Sequence, residues 1–438
     1  RHRKCGHRWL LPRPKPTSNL QSDKTTSCAT MRAMICFAAL FALARANLVA
    51  DNALRGGSPD GGITALRGGK KMDMAGLLPK HIEDGTYTPL IRNKFELEEA
   101  LDDIKRGFEA KLKKEANLIR VSAPLFVDKA SGFNDNLNGV ERPAAFSPRD
   151  FGNLTLEVPF SLAKWKRWAL LDYDLPEWQG LVTDFRGLRC DDDVDYLHSL
   201  YVDQFDWEMR IPPQSRNIET LKKVVRRIYR AVYETEQETA RKFGYRPILP
   251  EEIHFASSDE IASAHPDATP QQREKIICAK YKAVFVMGIG GYHANGRERH
   301  GGRAPDYDDW STPRDDGGFG LNGDLLVWHP VLKQQLELSS MGIRVSPNVL
   351  LKQLRISGAE ERLDLMWHKL LMDGSLPQSI GGGIGQSRLC QFMLRTAHIG
   401  EVQFGWWHPD AVQQCTQKGI SLLGLGAGAD LAIFEQAE

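Results

Sequence analysis

An anion-binding pattern lies near the carboxyl end, in SIGGGIGQSRLCQFML at residues 379–394. It predicts a glycine-rich turn that leads into an apolar helix, with Arg388 in the first helical turn. Backbone N–H groups at a helix start, the positive end of the helix dipole and a guanidinium could then converge on a phosphate. The pattern is neither a Walker loop nor a Rossmann fingerprint, and many glycine turns are only structural. Both an anion site and a structural turn therefore stay open.

A second polar group follows the strand pattern of GLVTDFRGLR and YLHSLYVDQFDWE, two runs that the acidic turn at 191–193 separates. The runs predict a long antiparallel hairpin. Because strand side chains alternate between faces, Gln204, Asp206 and Glu208 share one face, and aromatic residues take the other. Such a polar face either meets solvent or forms the floor of a binding site. Arg186 and Arg189 on the partner strand could place cations beside these acids.

Acidic residues crowd the loop RAPDYDDWST, where Asp306, Asp308 and Asp309 lie beside Arg303. A solvated or salt-bridged acidic loop is the simpler explanation when the loop is taken alone.

A further acidic pair, Asp324 and Glu337, falls on two adjacent predicted strands, and Ser339, Ser340 and Arg344 follow. Carboxylates from neighbouring strands suit Mg²⁺ when substrate phosphates complete its coordination shell. The pair could therefore hold Mg²⁺ together with substrate phosphates, although a solvated or salt-bridged acidic pair is the simpler explanation when it is taken alone.

The short helical run SLAKWKR carries Lys164, Lys166 and Arg167. These cations either form a surface face or aim Lys166 at a carboxylate. Single histidines such as His198, His293 and His300 are interpreted as structural, and no Ser/His/Asp or Cys/His combination stands out. Seven cysteines without a Cys-x-x-Cys pair predict neither a disulfide framework nor a zinc site.

Both helices and strands are predicted to position these residues. Apolar residues from Leu97 to Leu112 recur every three or four positions and predict a helix that begins near Phe95 and ends before Asn117. A second strong helix starts at Ile218. Pro124 interrupts the strand pattern NLIRVSAPLFVD, which indicates an edge or an interface. Further strands are predicted at YKAVFVMG, GDLLVWHP, QLELSS and EVQFGWW, and a helix across RLDLMWHKLLM. The fold class is α+β, with a central mostly antiparallel sheet flanked by helices.

Charge and composition divide the chain of 438 residues unevenly. Residues 1–90 contain 14 Lys and Arg against 6 Asp and Glu, whereas residues 91–438 contain 43 against 50. The acidic body predicts no broad nucleic-acid surface. We expect a disordered leader over 1–86, a folded domain over 87–423 and a carboxyl-terminal extension over 424–438.

The leader contains a signal-like segment at 31–46, where Arg32 precedes the apolar run AMICFAALFALA, and a Gly-rich linker that repeats ALRGG. The apolar run is too short to span a bilayer. A charged start, short apolar run and basic Gly-rich sequence predict a bipartite plastid-targeting leader, with a cytoplasmic location as the alternative. We expect the mature form to lack roughly the first 50 to 85 residues and to have no membrane partner.

Seven segments together closely resemble the ammonia-dependent asparagine synthetase (aspartate–ammonia ligase) family, from Tyr87 to Leu423. They are FNDNLNG, SLAKWKR, LHSLYVDQFDWE, RAPDYDDWSTP, LNGDLLVW, ELSSMGIRV and QSIGGGIGQSRL. That family is similar to the catalytic domain of class II aminoacyl-tRNA synthetases and implies a homodimer. By this resemblance the helix from Phe95 and the Pro124 strand form the dimer motif.

The resemblance implies ATP-dependent synthesis of L-asparagine from L-aspartate and ammonia through a β-aspartyl-adenylate, releasing AMP and pyrophosphate. It implies that Asp135, Lys166, Arg189 and Arg388 are catalytic, with Asp135 steering or deprotonating ammonia. The nucleotide-binding residues are Arg189, Asp324, Glu337 and Arg388, of which Asp324 and Glu337 would hold Mg²⁺. The residues around the amino acid are Ser161, Gln204, Asp206, Asp308, Ser340 and Arg344. Phe160 departs from the family, which often has His there.

Two other functions compete with this expectation. An aspartyl- or asparaginyl-tRNA synthetase-like paralogue would share the adenylation chemistry, but no anticodon-binding barrel is evident and the body lacks a basic footprint for tRNA. A non-catalytic relative that binds amino acid or nucleotide would not need Lys166, Arg189 and Arg388 together.

Overall fold

The computed structural model describes residues 77–82, 87–135, 141–291 and 300–426. The signal-like segment, the Gly-rich linker and most of the carboxyl-terminal extension lie outside the described residues. Leu77, Leu78 and Ile82 are buried, so the packed part of the chain includes residues before the predicted boundary at Tyr87. Within the described part, every helix is too short or too polar to cross a membrane.

The described part of the chain contains both helices and strands. The helices are α1 Lys94–Ala116, α2 Ala163–Asp172, α3 Ile218–Phe243, α4 Ser258–Ala264, α5 Pro270–Tyr281, α6 Pro347–Ser357, α7 Met366–Met372, α8 Gln386–Met393 and α9 Pro409–Gln417. The strands are β1 Leu118–Arg120, β2 Val127–Asp128, β3 Ala145–Phe146, β4 Leu156–Glu157, β5 Gly180–Leu188, β6 Tyr201–Arg210, β7 His254–Ser257, β8 Ala283–Met287, β9 Asn322–His329, β10 Gln334–Ile343, β11 Ser379–Gly385, β12 Gly405–Trp407 and β13 Gly424–Gly426.

The central sheet has eight strands in the order β1-β5-β6-β11-β10-β9-β8-β7. Its β1–β5 and β7–β8 pairs are parallel, and the remaining pairs are antiparallel. Helices α1, α3 and α8 cover one face, where Trp207 and Phe205 of β6 are buried. Helix α2 packs on the other face against Leu181 and Phe185 of β5. The α+β fold class is therefore confirmed.

Helix α1 illustrates why these residues form these elements. Asn93 caps its start, because the side-chain oxygen accepts from the N–H groups of Phe95 and Glu96. The predicted apolar stripe is buried against the sheet and α3. The helix ends at Asn117, whose φ of 55° places it in the left-handed region. Strand β1 follows at the sheet edge, so the prediction of an edge strand before Pro124 is confirmed.

The glycine run is the main departure from the predicted elements. It was predicted as a turn, but residues 379–385 form strand β11 in the middle of the sheet, between β6 and β10. Its glycines are required because neighbouring side chains lie where a Cβ atom would be. At Gly381 a Cβ would overlap the Glu208 carboxylate, and at Gly383 it would overlap the Gln204 amide.

Two other predicted elements are shorter than the sequence indicated. EVQFGWW was predicted as one strand, but its start belongs to a 3-10 helix at Ile399–Glu401 and only Gly405–Trp407 is extended. The Glu401 carboxylate accepts from the N–H groups of Ala397 and His398, which folds the chain back at this point. The helix predicted across RLDLMWHKLLM is divided by the extended residue Leu365.

Candidate active site

A cavity of about 370 Å³ lies over the ends of β6, β11 and β10, a size typical of small-molecule sites. Eleven of the twelve predicted site residues line it: Asp135, Ser161, Lys166, Arg189, Gln204, Asp206, Asp308, Glu337, Ser340, Arg344 and Arg388. The twelfth, Asp324, lies just behind, with its Oδ1 2.7 Å from Ser340 Oγ. The structure thus brings together residues spread over most of the folded chain.

Strand β6 forms the floor as its alternation predicted. Gln204 and Asp206 face the cavity, whereas Phe205 and Trp207 enter the core on the other side. Lys166 of α2 forms an ion pair with Asp206 and donates to the carbonyls of Trp207 and Gly382, each at 3.0 Å. Of the two interpretations of SLAKWKR, the one that aims Lys166 at a carboxylate is correct. Burial raises the pKa of Asp206, while the Lys166 ammonium opposes that rise.

Arg344 joins the floor to the acidic loop. Its Nε donates to Glu208 Oε1 at 2.9 Å and its Nη2 to Oε2 at 2.7 Å, while Nη1 pairs with Asp308. Glu208 also accepts from Ser379 Oγ at 2.7 Å. Burial by itself would raise the pKa of Glu208, but the Arg344 charge and hydrogen bonds bring it below its ordinary value. The guanidinium is therefore fixed on three sides before any substrate binds.

The acidic loop is salt-bridged rather than solvated. Asp306 pairs with Lys164, whose Nζ is 3.1 Å from Oδ2, and with Arg362. Asp309 pairs with Arg216. All of these aspartates are buried, and only Asp308 lines the cavity. Asp306 and Asp309 therefore serve in salt bridges away from the cavity, whereas Asp308 is available to it.

Asn134 holds the backbone next to Asp135. Its Oδ1 accepts from the Phe160 N–H at 2.9 Å, and its backbone carbonyl accepts from Lys164 Nζ at 3.0 Å. Asp135 is 1% exposed, so this network places a buried carboxylate at the cavity wall. Ser161 Oγ in turn accepts from the Ala163 N–H at the start of α2.

The acidic pair predicted to hold Mg²⁺ lies at the β9–β10 step of the sheet. Ser340 Oγ is 2.7 Å from Asp324 Oδ1 and 2.8 Å from Glu337 Oε1, and Arg303 pairs with Asp324. Burial, together with the Glu337 charge, raises the pKa of Asp324 to about 7, although Arg303 opposes the rise. A cation between these two crowded carboxylates would relieve this repulsion, and two carboxylates plus phosphate oxygens suit Mg²⁺. The residues present therefore fit the ion.

The start of α8 differs from its prediction. The Ser387 N–H donates to Asp203 Oδ1 at 3.0 Å, so the chain's own carboxylate occupies the helix end that was predicted to meet an anion. Arg388 remains at the cavity, where its Nη1 donates to the Glu337 carbonyl at 3.2 Å. Of the groups predicted to meet an anion here, the Arg388 guanidinium lines the cavity.

Of the two arginines predicted beside the acids, only Arg189 lies at the site. Phe185 pairs in register with Gln204, so odd-numbered residues of β5 and its extension face the cavity. Arg186 faces the other side, where its side chain is 61% exposed and 3.8 Å from Asp184. Arg189 donates to the Phe160 carbonyl at 3.2 Å and lies 5.6 Å from the Phe160 ring. Phe160 thus supports Arg189 through its backbone carbonyl and its ring.

Several buried polar atoms at the cavity have no hydrogen-bond partner in the described part of the chain. They are Arg189 Nε, Asp206 Oδ2, Arg303 Nε and Ser339 Oγ. Buried polar groups are normally satisfied. Their concentration around one cavity indicates that polar ligand atoms complete the site.

Residues 95–419 match the family described as aspartate-ammonia ligase, which covers most of the chain. The chain belongs to the aspartate–ammonia ligase family. The aspartate–ammonia ligase of Clostridium perfringens is 48% identical over 338 residues, which span 77% of this chain and 97% of the relative. That of Mycoplasmoides gallisepticum is 49% identical over 331 residues, which span 75% and 98%.

Solved structures place this ligase family member in a wider fold. Asparaginyl-tRNA synthetase from Pyrococcus horikoshii, complexed with asparaginyl-adenylate, has a TM-score of 0.53 at 15% identity and covers 70% of this chain and 67% of its own. The Entamoeba histolytica enzyme in the same kind of complex has a TM-score of 0.51 at 9% identity, covering 70% and 66%. These likenesses show the class II synthetase fold.

Sequence reasoning missed several residues at the ligase site. His198 was interpreted as structural, yet it lines the cavity, with its Nδ1 2.9 Å from Asp195; no feature of the sequence distinguished it. Tyr307 is buried at the cavity, and burial with the charge and hydrogen bond of Asp135 holds the pKa of its phenol well above the usual range. Arg303 carried one signal, its place beside the acidic loop.

Proposed function

We propose that this chain converts L-aspartate, ammonia and ATP into L-asparagine, AMP and pyrophosphate through a β-aspartyl-adenylate. The observation that carries this proposal is a buried cavity of mixed charge, lined by the residues that the family resemblance selected. Family membership supplies the reaction class.

Both signs of charge at the floor suit an amino acid with one ammonium and two carboxylates. Asp206 and Asp308 offer acceptors for the ammonium, and Lys166 and Arg344 offer cations for carboxylate oxygens. Because Arg344 is already fixed by Glu208 and Asp308, it needs no rearrangement to bind. Preorganised charges of this kind favour both binding and the following transition state.

In the first step an oxygen of the aspartate β-carboxylate attacks the α-phosphorus of ATP, and the bond to pyrophosphate breaks. Negative charge then increases on the α-phosphate and the leaving group. Arg189 and Arg388 lie at the cavity and are assigned to these phosphates. Cations fixed where charge develops are the main protein contribution to phosphoryl chemistry.

Asp324 and Glu337 are assigned to hold Mg²⁺. When bound, the ion would supply positive charge between these carboxylates and the nucleotide phosphates. Arg388 donates to the backbone carbonyl of Glu337, so a polyanion that binds Arg388 comes close to the two acids. Without a cation, the acids would repel that polyanion. This electrostatic conflict supports a requirement for the metal.

In the second step ammonia attacks the β-carbonyl carbon of the adenylate, and the bond to AMP breaks. The attacking nitrogen must lose one proton. Asp135 is assigned to steer ammonia and accept that proton, since its carboxylate is buried at the cavity wall. A base must come within hydrogen-bond reach of the proton that it removes.

The direct test incubates purified protein with aspartate, ATP, Mg²⁺ and ammonium, and separates the products by chromatography. We expect asparagine and AMP in equal amounts, and none when aspartate is omitted. Asparagine accompanied by ADP would contradict the adenylate. AMP formed without asparagine, but with transfer to added tRNA, would favour the synthetase-like alternative.

We also propose a homodimer formed through an apolar surface beside the first strands. The surface consists of Ile119, Leu125, Phe126, Phe146 and Phe151, which are all exposed. Phe126 and Phe146 meet edge to face with ring centroids 5.2 Å apart. Exposed apolar side chains of this kind are frequent at protein interfaces.

Light scattering after gel filtration tests the dimer. Leu125→Asp is expected to give monomers, whereas Phe404→Asp, at another exposed apolar residue, is expected to leave the dimer intact. A monomeric wild-type protein at micromolar concentration would contradict the proposal.

The plastid location is proposed from the leader sequence alone. Residues 31–90 fused to a fluorescent protein should enter plastids, and the native enzyme should lack Met31. A diffuse cytosolic signal with an intact Met31 terminus would reject the targeting and leave the ligase assignment unaffected.

A further inference from the structure

The start of helix α8 depends on a carboxylate from another element. Gly385 occupies the N-cap position and offers no side-chain acceptor. Asp203 of β6 takes that place from outside the helix, because its Oδ1 accepts from the Ser387 N–H at 3.0 Å and its Oδ2 from Ser387 Oγ at 2.8 Å. The first turn of α8 is therefore anchored to the sheet by two hydrogen bonds.

Asp203 lies on the opposite face of β6 from Gln204 and Asp206. It is 5% exposed and lies at the end of the cavity, under the helices of the core face. Lys105 of α1 approaches it, with its Nζ 3.6 Å from Asp203 Oδ2. The carboxylate is thus balanced by a lysine ammonium and by the positive helix end.

The residue after Ser387 is Arg388, which belongs to the same helical turn. Fixing the Ser387 N–H fixes the direction of the Cα–Cβ bond of Arg388 and hence the region its guanidinium reaches. Across the cavity the guanidinium is held by the Glu337 carbonyl. The anchor at its base and this contact at its tip together restrict where the positive charge lies.

We propose that Asp203 is a positioning residue for the ATP-binding step, acting through Arg388. This inference rests on the proposed role of Arg388 at the phosphates. A negative charge beside a site for a polyanion would by itself weaken nucleotide binding. Asp203 instead orders the first turn of α8, which carries the positive charge of Arg388. Removing Asp203 therefore weakens ATP binding, although a repulsive charge is lost.

The sign of the effect separates this proposal from simple electrostatics. Asp203→Ala is expected to reduce the affinity for ATP by about tenfold, since losing a helix cap and the order of one turn has effects of this size. Asp203→Asn should reduce it less, because the amide oxygen still accepts from the Ser387 N–H. The KM for aspartate should change by less than about twofold in both variants, because Asp203 lies on the face of β6 opposite to Gln204 and Asp206.

Glu236→Gln is the matched control. Glu236 is also a buried carboxylate that accepts from two backbone N–H groups, those of Ile248 and Leu249, and pairs with a cation, Arg395. It links α3 to the chain beyond the far end of α8. We expect Glu236→Gln to lose about as much thermal stability as Asp203→Ala and to keep its affinity for ATP. That result would show that destabilisation alone does not change ATP affinity.

A double-mutant cycle with Arg388→Ala decides the proposal, with ATP binding measured by calorimetry on the full chain in the absence of aspartate. Asp203→Ala should have little further effect in the Arg388→Ala background. If Arg388→Ala lowers affinity and the two effects add, the positioning role is refuted while the phosphate role stands. If Arg388→Ala leaves the affinity unchanged, the phosphate role fails and the positioning role with it.

Discussion

Replacing Gly381 by alanine is the sharpest test of the arrangement under the cavity. A Cβ at this position would overlap the Glu208 carboxylate and come within 2.7 Å of Arg344 Nη2. Neither group can yield easily, because both are buried and each holds the other through two hydrogen bonds. The methyl group therefore has to separate an ion pair in the interior.

Two effects on stability add at this position. Overpacking a close-packed interior costs about 1–3 kcal/mol. Loosening a buried ion pair adds a cost of up to about 3–5 kcal/mol when the partner is left uncompensated. Asp308 still pairs with Arg344, so the guanidinium keeps a partner and only about 1 kcal/mol of that cost applies. We expect the free energy of unfolding to fall by about 2–4 kcal/mol.

Activity should fall further than stability suggests. Shifting Arg344 by about 1 Å misplaces the group assigned to aspartate, and misplacements of this size can reduce rates about a hundredfold. The assays are urea unfolding and asparagine formation with aspartate varied. Gly107→Ala is the control, because a Cβ there meets only Lys111 Nζ at 3.7 Å and the substitution should stabilise α1. A Gly381→Ala protein with wild-type stability and turnover would refute the reasoning.

Three further predictions concern single side chains. Arg388→Ala should lower kcat/KM on the order of a hundredfold in a folded protein, because a cation is lost where phosphate charge develops; circular dichroism serves as the control for folding. Arg189→Ala should lower activity strongly and Arg186→Ala less than about threefold, because only Arg189 faces the cavity; equal losses would reject the assigned faces. Burial raises the pKa of Glu401 to about 7, so the folded state binds its proton more tightly than the unfolded state, and the stability from this group is lost as pH rises from about 4.5 to 7. In thermal unfolding, the melting temperature of Glu401→Gln minus that of the wild type should therefore be higher at pH 8 than at pH 5. The same difference at both pH values would contradict the raised pKa.

The elements that the sequence predicted are those with local patterns. The three- and four-residue spacing of α1 and the alternation of β6 depend on neighbours in sequence, and both were confirmed. Alternation alone placed Gln204 and Asp206 on the site face. The same rule, applied to Arg186 and Arg189 three residues apart, would have separated them.

The glycine strand could not be predicted because its reason is not local. Glycine has a low strand propensity, so a run of it favours a turn when taken by itself. Strand β11 is extended because it pairs with β6 and β10, which are far away in sequence. Its glycines are needed because the Gln204 and Glu208 side chains occupy the space above Gly383 and Gly381. The cap from Asp203 to Ser387 was hidden for the same reason.

Strand β6 presents different carboxylates to its two sides, and this has a consequence for how the chain can vary in length. Asp206 faces the cavity and Asp203 faces helix α8, so each depends on an unbroken two-residue repeat. One inserted or deleted residue would send each carboxylate to the wrong side of the sheet. Point substitutions in β6 should therefore be graded in effect, whereas changes of length within the strand should not be tolerated.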